Sequence, residues 1–325
     1  MDANALTVII PTFNREKLIS RALDSIWNQT QRPSQVIIVD DASTDGTLEV
    51  ARDWSNSYPI DVVIEKRTSN SGPAAVRNIG IHLAVTPYIA FLDSDDEYLP
   101  HALETLIKPF QSFSGTVVSF ADAACEQAGQ YNSHAFLGAR LDIGKEAERL
   151  SNPSFFRLIN PKRTLLHASM IPMCSNCVSR DAAVAVGGFP ETHRSGEDWL
   201  FWLRMSDQGA FIFQRDDLVI VHRHDENLTH ADAAVFIAHQ KLLGFIAIRD
   251  GTVGIRLDMP DQVRLEHLIE GQKAALRYHL STLGIIEYLR QMQLLGATVG
   301  FSPTIELLKD LKGLVRSALF SLKLK

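Results

Sequence analysis

Two rhythms of apolar and polar residues alternate over the first 120 positions. LTVIIPT (6–12) is a short apolar run, rich in β-branched residues and ending around Pro11, which predicts a buried strand. Leu18, Ile19, Ala22, Leu23, Ile26 and Trp27 then recur at helical spacing and predict an amphipathic helix. QVIIVD (35–40) reads as a second strand, followed by the turn signal Asp45-Gly46 and a helix reaching about Trp54. DVVIEK (61–66) is a third strand, and a helix from about Pro73 leads into a fourth, YIAFLD (88–93). Apolar strands separated by helices predict an α/β fold, a mainly parallel sheet covered by helices on both faces. In such open sheets ligands bind beyond the carboxyl ends of the strands. Here those ends read PTFNR, DDAST and DSDD, three polar segments that the alternation brings to one rim.

The rhythm weakens between residues 121 and 195, where turn signals at Gly129, Gly138, Pro153 and Pro161 point to loops around a smaller sheet. SGEDWLFWLRM (195–205) opens a helix, and Ser195 with Asp198 has the spacing of a capping box. LVIVHRH (218–224) is a further strand, and from about residue 231 the pattern is helical. In the last segment Leu307, Leu308, Leu311, Leu314, Val315, Ala318 and Leu322 form one apolar stripe. Lys309, Lys312, Arg316, Lys323 and Lys325 lie on its polar face with Glu306 and Asp310. This helix either packs on the preceding domain or lies on a membrane surface, which its basic face suits.

Composition narrows the partners. With 46% apolar and 22% charged residues the chain is ordinary for a globular protein. Its net charge of −6 offers no general attraction to nucleic acid, although a cation-bridged anionic ligand is compatible with it. Three cysteines are too few for a disulfide framework and suggest a reducing, cytoplasmic location. The opening MDANALTVIIPTFNRE lacks a signal-peptide pattern, and no apolar run reaches 18 residues, so no membrane span is expected.

FLDSDDEYLP (91–100) sets four acids, Asp93, Asp95, Asp96 and Glu97, within five positions at a strand end. Such a cluster is either a solvated turn or a site for a hard divalent cation, which takes carboxylate oxygens and substrate phosphates. A second acidic pair, Glu197-Asp198, either caps a helix or supplies a base.

The ordered set VIIPTFNR, VIIVDDASTDGT, NSGPAAVRNIG, FLDSDD, GGFPE and GEDWLFWLR resembles the family 2 glycosyltransferases, over roughly residues 6 to 229. That family has the nucleotide-diphospho-sugar transferase fold called GT-A. The resemblance implies a GT-A domain over 1–230, with a nucleotide-binding part over about 1–120, an acceptor part over about 121–230 and a helical extension over 231–325. It implies transfer of a sugar from a nucleotide-activated donor to an acceptor hydroxyl, with inversion. A UDP-sugar is the expected donor, with GDP- and dTDP-sugars open. The implied acceptor is a saccharide or lipid-linked saccharide in cell-surface polysaccharide or glycoconjugate synthesis.

By the same resemblance Pro11, Thr12 and Phe13 contact the nucleotide, and Asp41 accepts hydrogen bonds from the base. Arg77, in VRN, is a donor-pocket cation or else a surface arginine on an amphipathic helix. Asp93 and Asp95 match the DxD motif, with Asp93 and Ser94 on the donor and Asp95 on Mn²⁺ or Mg²⁺, which would neutralise the cluster. Asp198 is the implied catalytic base, with Glu197 as its competitor. His224 and Asn227 match the family's closing segment, His224 as a metal or diphosphate ligand, whereas His222 has no family role. Cys174 and Cys177 form C-x-x-C, but a structural zinc site needs four ligands and the third cysteine, Cys125, is distant. A nucleotidyltransferase on a similar fold, or a binding module without turnover, is the alternative reading; neither G-x-G-x-x-G nor a P-loop occurs.

Overall fold

The computed structural model describes residues 6–138, 140–167, 169–193, 195–224, 234–281, 285, 286, 289, 290, 293 and 311–323. The chain divides into two compact units, Met1–His224 and Asp225–Lys325.

The first unit opens with the predicted alternation: β1 (Leu6–Thr12), α1 (Ile19–Trp27), β2 (Gln35–Asp40), α2 (Thr47–Ser57), β3 (Asp61–Lys66), α3 (Pro73–Leu83) and β4 (Tyr88–Phe91). The four strands pair in parallel in the order β3-β2-β1-β4. β2 is buried along its whole length, which explains why its side chains are apolar on both faces. Polar Thr7 inside β1 is satisfied laterally, donating to Gln35 Oε1 at 3.1 Å and sharing a hydroxyl contact of 2.7 Å with Thr86. α3 lies close on the sheet because Gly80 has no side chain. A Cβ there would come within 2.4 Å of Ile9 Cγ2.

The rest of the unit adds β5 (Glu97–Tyr98), α4 (Ala102–Ser112), β6 (Thr116–Gln127), β7 (Gln130–Asn132), α5 (Ile143–Glu146), β8 (Ala147–Arg149), β9 (Phe156–Leu158), α6 (Pro161–His167), β10 (Asn176–Ser179), α7 (Arg180–Ala185), α8 (Glu197–Met205) and β11 (Ala210–Arg223). The expected smaller sheet is not separate. Among the described residues all eleven strands belong to one sheet, with the path β3-β2-β1-β4-β10-β6-β11-β9-β8. β10 runs antiparallel between β4 and β6 and so welds the second half to the first. Trp202, Phe91, Phe120, Phe189, Phe201, Phe211 and Phe213 are the largest fully buried rings, each worth about 1.5–3 kcal/mol of transfer free energy.

The second unit contains α9 (Ala234–Arg249), α10 (Met259–Leu280) and a helix over Leu311–Lys323. Asp258 caps α10, accepting from the Asp261 amide at 2.9 Å. The terminal helix differs from the stripe read in the sequence. Ser317 is fully buried, whereas Val315 is 61% exposed. Arg316 packs over the Tyr278 ring at 4.5 Å and donates to Ser281 Oγ at 3.1 Å, so small residues and an arginine make the contact. No helix among the described residues is long and apolar enough to cross a membrane.

Candidate active site

Parallel pairing brings the carboxyl ends of β1, β2 and β4 to a common rim. Two of the loops there are locked together. The Asn14 amide donates to Ser43 Oγ at 2.9 Å, and the Thr44 amide donates back to Asn14 Oδ1 at 2.9 Å. The Arg15 amide donates to Thr47 Oγ1 at 2.7 Å. Asn14 and Ala42 both hold left-handed backbones, φ 51° and 66°. Such conformations cost energy and persist where neighbours over-determine them, as this interlock does.

Pro11, Thr12 and Phe13 end β1 at this rim. Thr12 is buried with its hydroxyl oxygen unpartnered, and the Phe13 ring is 41% exposed. Asp41 is buried and clamps the loop before α3. It accepts from the Ser71 amide (2.9 Å), the Ser71 hydroxyl (3.0 Å) and the Gly72 amide (2.8 Å). A carboxylate has about four acceptor positions, so one remains for a ligand.

Arg77 is not a surface residue. It is 5% exposed and bridges two acids, donating from Nη2 to Asp93 Oδ1 and from Nη1 to Glu197 Oε1, both at 2.9 Å. Burial opposes its charge, but the carboxylates of Asp93 and Glu197 outweigh that and raise its pKa. Its neighbour Asn78 grips the GGF segment, donating to the Phe189 carbonyl and accepting from the Phe189 amide at 2.9 and 2.8 Å. Phe189 stacks on Phe201 of α8 at 4.1 Å. The RN pair of α3 thus ties the strand-end acids to the helix that carries Glu197 and Asp198.

α8 starts differently from the capping box in the sequence. Gly196 is its N-cap, with φ 80°, and no side chain caps it. Its left-handed turn takes the place of the expected Ser195 cap, while Asp198 Oδ1 accepts the Trp199 amide at 2.7 Å. Burial, then the Asp198 charge, pushes Glu197 up to about 7 against the opposing pull of Arg77. Burial also raises Asp198, against the Trp199 amide and Arg77. Asp198 Oδ2 makes no hydrogen bond among the described residues and is available to take a proton.

Asp95 lies between His224 and two arginines. Its Oδ2 is 3.1 Å from His224 Nε2 and 3.5 Å from Arg15 Nε, and Arg21 donates to its carbonyl. Ser94 is buried beside it. Asp96 is buried, accepts the His222 amide at 3.0 Å, and is driven well above the usual carboxylate range by burial and then by Asp93 and Asp95. Glu97 meets His222 Nε2 at 3.1 Å, and the other ring nitrogen faces Glu126 at 3.0 Å. Arg15, Arg21 and His222 had no role in the sequence reading, because single basic residues carry no spacing signal. Asn227 lies outside the described residues. Cys174 and Cys177 are buried thiols, Cys177 on β10, and all three cysteines are free.

Among the described residues one trio has metal-ligand spacing, Asp122, His134 and Asp217, away from the DxD segment. Backbone amides already occupy its carboxylates. Phe136 and Leu137 donate to Asp122 Oδ1 at 3.0 and 3.1 Å, and His134 donates to Asp217 Oδ1 at 3.0 Å. The trio anchors a loop. Asp95 and His224 set a carboxylate oxygen and an imidazole nitrogen, both metal-ligand types, 3.1 Å apart at the strand-end rim.

The profile of glycosyl transferase family 2 matches residues 7–179. The poly(ribitol-phosphate) beta-glucosyltransferase of Bacillus spizizenii is 43% identical over 93 residues, 28% of this chain and 15% of that one. Staphylococcus aureus TarS 1-349 in complex with UDP-GlcNAc superposes with a TM-score of 0.64 at 19% identity, covering 90% of this chain and 81% of that chain. The mannosyltransferase PcManGT from Pyrobaculum calidifontis, in complex with GDP-Man and Mn²⁺, gives 0.58 at 19%, covering 99% and 88%. These likenesses show the GT-A fold. The chain spans between 15 and 63% of the length of the first curated relatives it matches.

Proposed function

The chain belongs to glycosyl transferase family 2, and from that premise we propose that its first unit moves a sugar from a nucleotide-diphospho-sugar, with UDP as the nucleotide, to an acceptor hydroxyl with inversion. One observation carries this reading: Arg77 links Asp93 to Glu197 across 2.9 Å contacts and so brings the DxD segment and the Glu197-Asp198 pair to one rim. An acceptor hydroxyl has a pKa far above neutrality and needs a base as it attacks the anomeric carbon. Asp198 supplies it, with an unbonded Oδ2 and a carboxyl raised by burial. Glu197, spent on Arg77, positions instead.

Asp41, Thr12 and Phe13 take the nucleoside, and Asp93 with Ser94 faces the donor. Asp95 and His224 are the residues that would hold Mn²⁺ or Mg²⁺. Bound there, the cation supplies positive charge to the departing diphosphate. The acceptor is a cell-surface saccharide or polyol phosphate, free or lipid-linked. Free cysteines accord with the expected cytoplasmic location, and Arg316 of the terminal helix contacts Tyr278 and Ser281 of its own unit. The alternatives from the sequence, a nucleotidyltransferase or a module without turnover, lack a comparable supporting contact.

A panel of UDP-, GDP- and dTDP-sugars with Mn²⁺ or Mg²⁺, scored by nucleotide release and thermal shift, tests this. Binding of N over U gives about 2.7 kcal/mol of stabilisation at a hundredfold excess over Kd. Asp198→Asn should retain that shift and lose turnover by two or more orders of magnitude, about 10²–10⁴ being typical of a general base. Near-normal turnover in Asp198→Asn would remove it as the base.

A further inference from the structure

The sheet edge far from the nucleotide rim carries a second concavity. β11 loses register with β6 between Phe213 and Asp217, and the bulge turns Arg215 and Asp216 out to solvent. The loop after β7 is fastened over this bulge through Asp122 and Asp217, with His134 held at φ 54°. Arg149 of β8 lies 5.4 Å over the Phe156 ring. His134, Arg149, Ser154, Phe156, Arg215 and Asp216 line a pocket of about 330 Å³.

Two arginines and one acid line it. Arg157, next door, pairs with Glu148 at 3.3 Å. Among the described residues neither Arg149 nor Arg215 makes an ion pair, although Asp216 lines the same pocket. Stacking on Phe156 holds one guanidinium in place, which reduces the ordering cost of using its donors on a ligand. Two arginines lining one concavity offer guanidinium donors suited to the oxygens of a phosphate.

Distance excludes the donor. β9 stands five places from β1 in the sheet, about 24 Å at the usual strand spacing. Asp216 precedes His222 by six residues on β11, about 20 Å along a strand that ends beside Asp95. A single molecule that reaches from this pocket to the rim beside Asp95 has to span about 20 Å, the length of an extended acceptor.

We infer that the Arg149–Arg215 pocket holds a phosphate of an extended acceptor, well removed from the hydroxyl that receives the sugar. The inference rests on the transferase reading given above for the first unit. The phosphate belongs either to a phosphodiester polymer or to the diphosphate of a lipid-linked oligosaccharide. The pocket selects for charge and length, while the rim near Asp198 selects the hydroxyl.

The test uses the full chain and an Arg149→Ala/Arg215→Ala variant; both side chains are exposed, so the fold should persist. Three probes are titrated: a short glycerol-phosphate oligomer, a short isoprenyl-diphosphate oligosaccharide and an uncharged glucose oligomer. UDP with Mn²⁺ is titrated in parallel. Wild type should bind at least one phosphate probe over the neutral one, and the variant should bind it about a hundredfold or more weakly, the loss of two charge-assisted contacts. UDP affinity should not change. The better of the two phosphate probes identifies the source of the phosphate. Equal binding of charged and neutral probes, or equal binding by wild type and variant, overturns the inference. Phosphate binding through the arginines in a wild type that has no UDP affinity would keep the pocket and overturn the transferase reading instead.

Discussion

Replacing Arg77 with Met keeps most of the side-chain volume and removes the charge that joins the two halves of the rim. The two ion pairs are not equivalent. Asp93 is 31% exposed at its side chain and can recover water, so that pair is worth at most about 1 kcal/mol. Glu197 is 9% exposed, and removing the partner of a buried charge costs about 3–5 kcal/mol. Glu197 can escape part of that cost by taking a proton, since burial already holds it at about 7. A loss of about 3 kcal/mol at pH 7.5 is therefore expected, or about 6–12 °C in Tm for a unit of this size. All four tryptophans, Trp27, Trp54, Trp199 and Trp202, lie in the first unit, so their fluorescence reports its unfolding alone. Glu197→Gln should cost less by itself, because it discards the buried charge along with the bond. Combined with Arg77→Met it should recover about 1–2 kcal/mol relative to the sum of the single effects. If Arg77→Met lowers Tm by under about 2 °C, or if the two effects add without coupling, the bridge is not what joins these segments.

The pH dependence has a definite sign. Glu197 stands at about 7 in the fold, above the ordinary carboxyl value of about 4.3, so the native state holds its proton more tightly. The first unit should lose stability as pH rises from about 4.3 to about 7 and then level off, with a shallower slope in Glu197→Gln; superimposable slopes would contradict the assignment. Gly188→Ala meets two obstacles, φ 66° and an Asn78 Oδ1 only 2.3 Å from the new Cβ, and should cost about 2–3 kcal/mol. Gly187→Ala shares the backbone problem, φ 74°, but has open space around it, and should cost about 1–2 kcal/mol; equal urea midpoints for the two variants would argue against the Asn78 clip. Burial pushes the Cys174 and Cys177 thiols up, so native protein should react with a disulfide reagent at Cys125 first, and all three should react in guanidinium. Simultaneous labelling of the three would show the β10 segment to be open.

How much of this was legible varied with the kind of signal. β1, β2 and β4 announce themselves through apolar runs because each is buried between neighbouring strands, whereas β3, DVVIEK, is a half-exposed edge strand marked by its β-branched centre. β6, TVVSFADAACEQ, is buried over most of its length, yet its second half, ADAACEQ, is alanine-rich and polar, so there its strand character comes from pairing with neighbouring strands more than from its own residues. That is why one continuous sheet looked like loops around a second one. The acidic motifs were visible as short-range patterns. Their connection was not, since Arg77 and Glu197 are 120 positions apart. The start of α8 also escaped, because a glycine in a left-handed turn, without a capping side chain, occupies the N-cap in place of Ser195.

The acidic run at 93–97 shows what these long-range contacts accomplish. Four neighbouring carboxylates suggest a site that needs a metal ion to hold together, yet the protein disposes of the charge in four different ways. Asp93 has Arg77, Asp95 has His224 and Arg15, Glu97 has His222, and Asp96 is buried where burial favours its proton. Repulsion is thus relieved before any cation arrives, and the turn can be built by folding alone. A cation at Asp95 would then compete with Arg15 for the same oxygen rather than rescue an unstable loop. That competition predicts a direction: Arg15→Gln should tighten Mn²⁺-dependent UDP binding, because it removes a positive charge 3.5 Å from the ligand oxygen. Looser binding, measured by titrating Mn²⁺ at fixed UDP, would mean that Arg15 serves the diphosphate itself and that Asp95 is not the oxygen the metal takes.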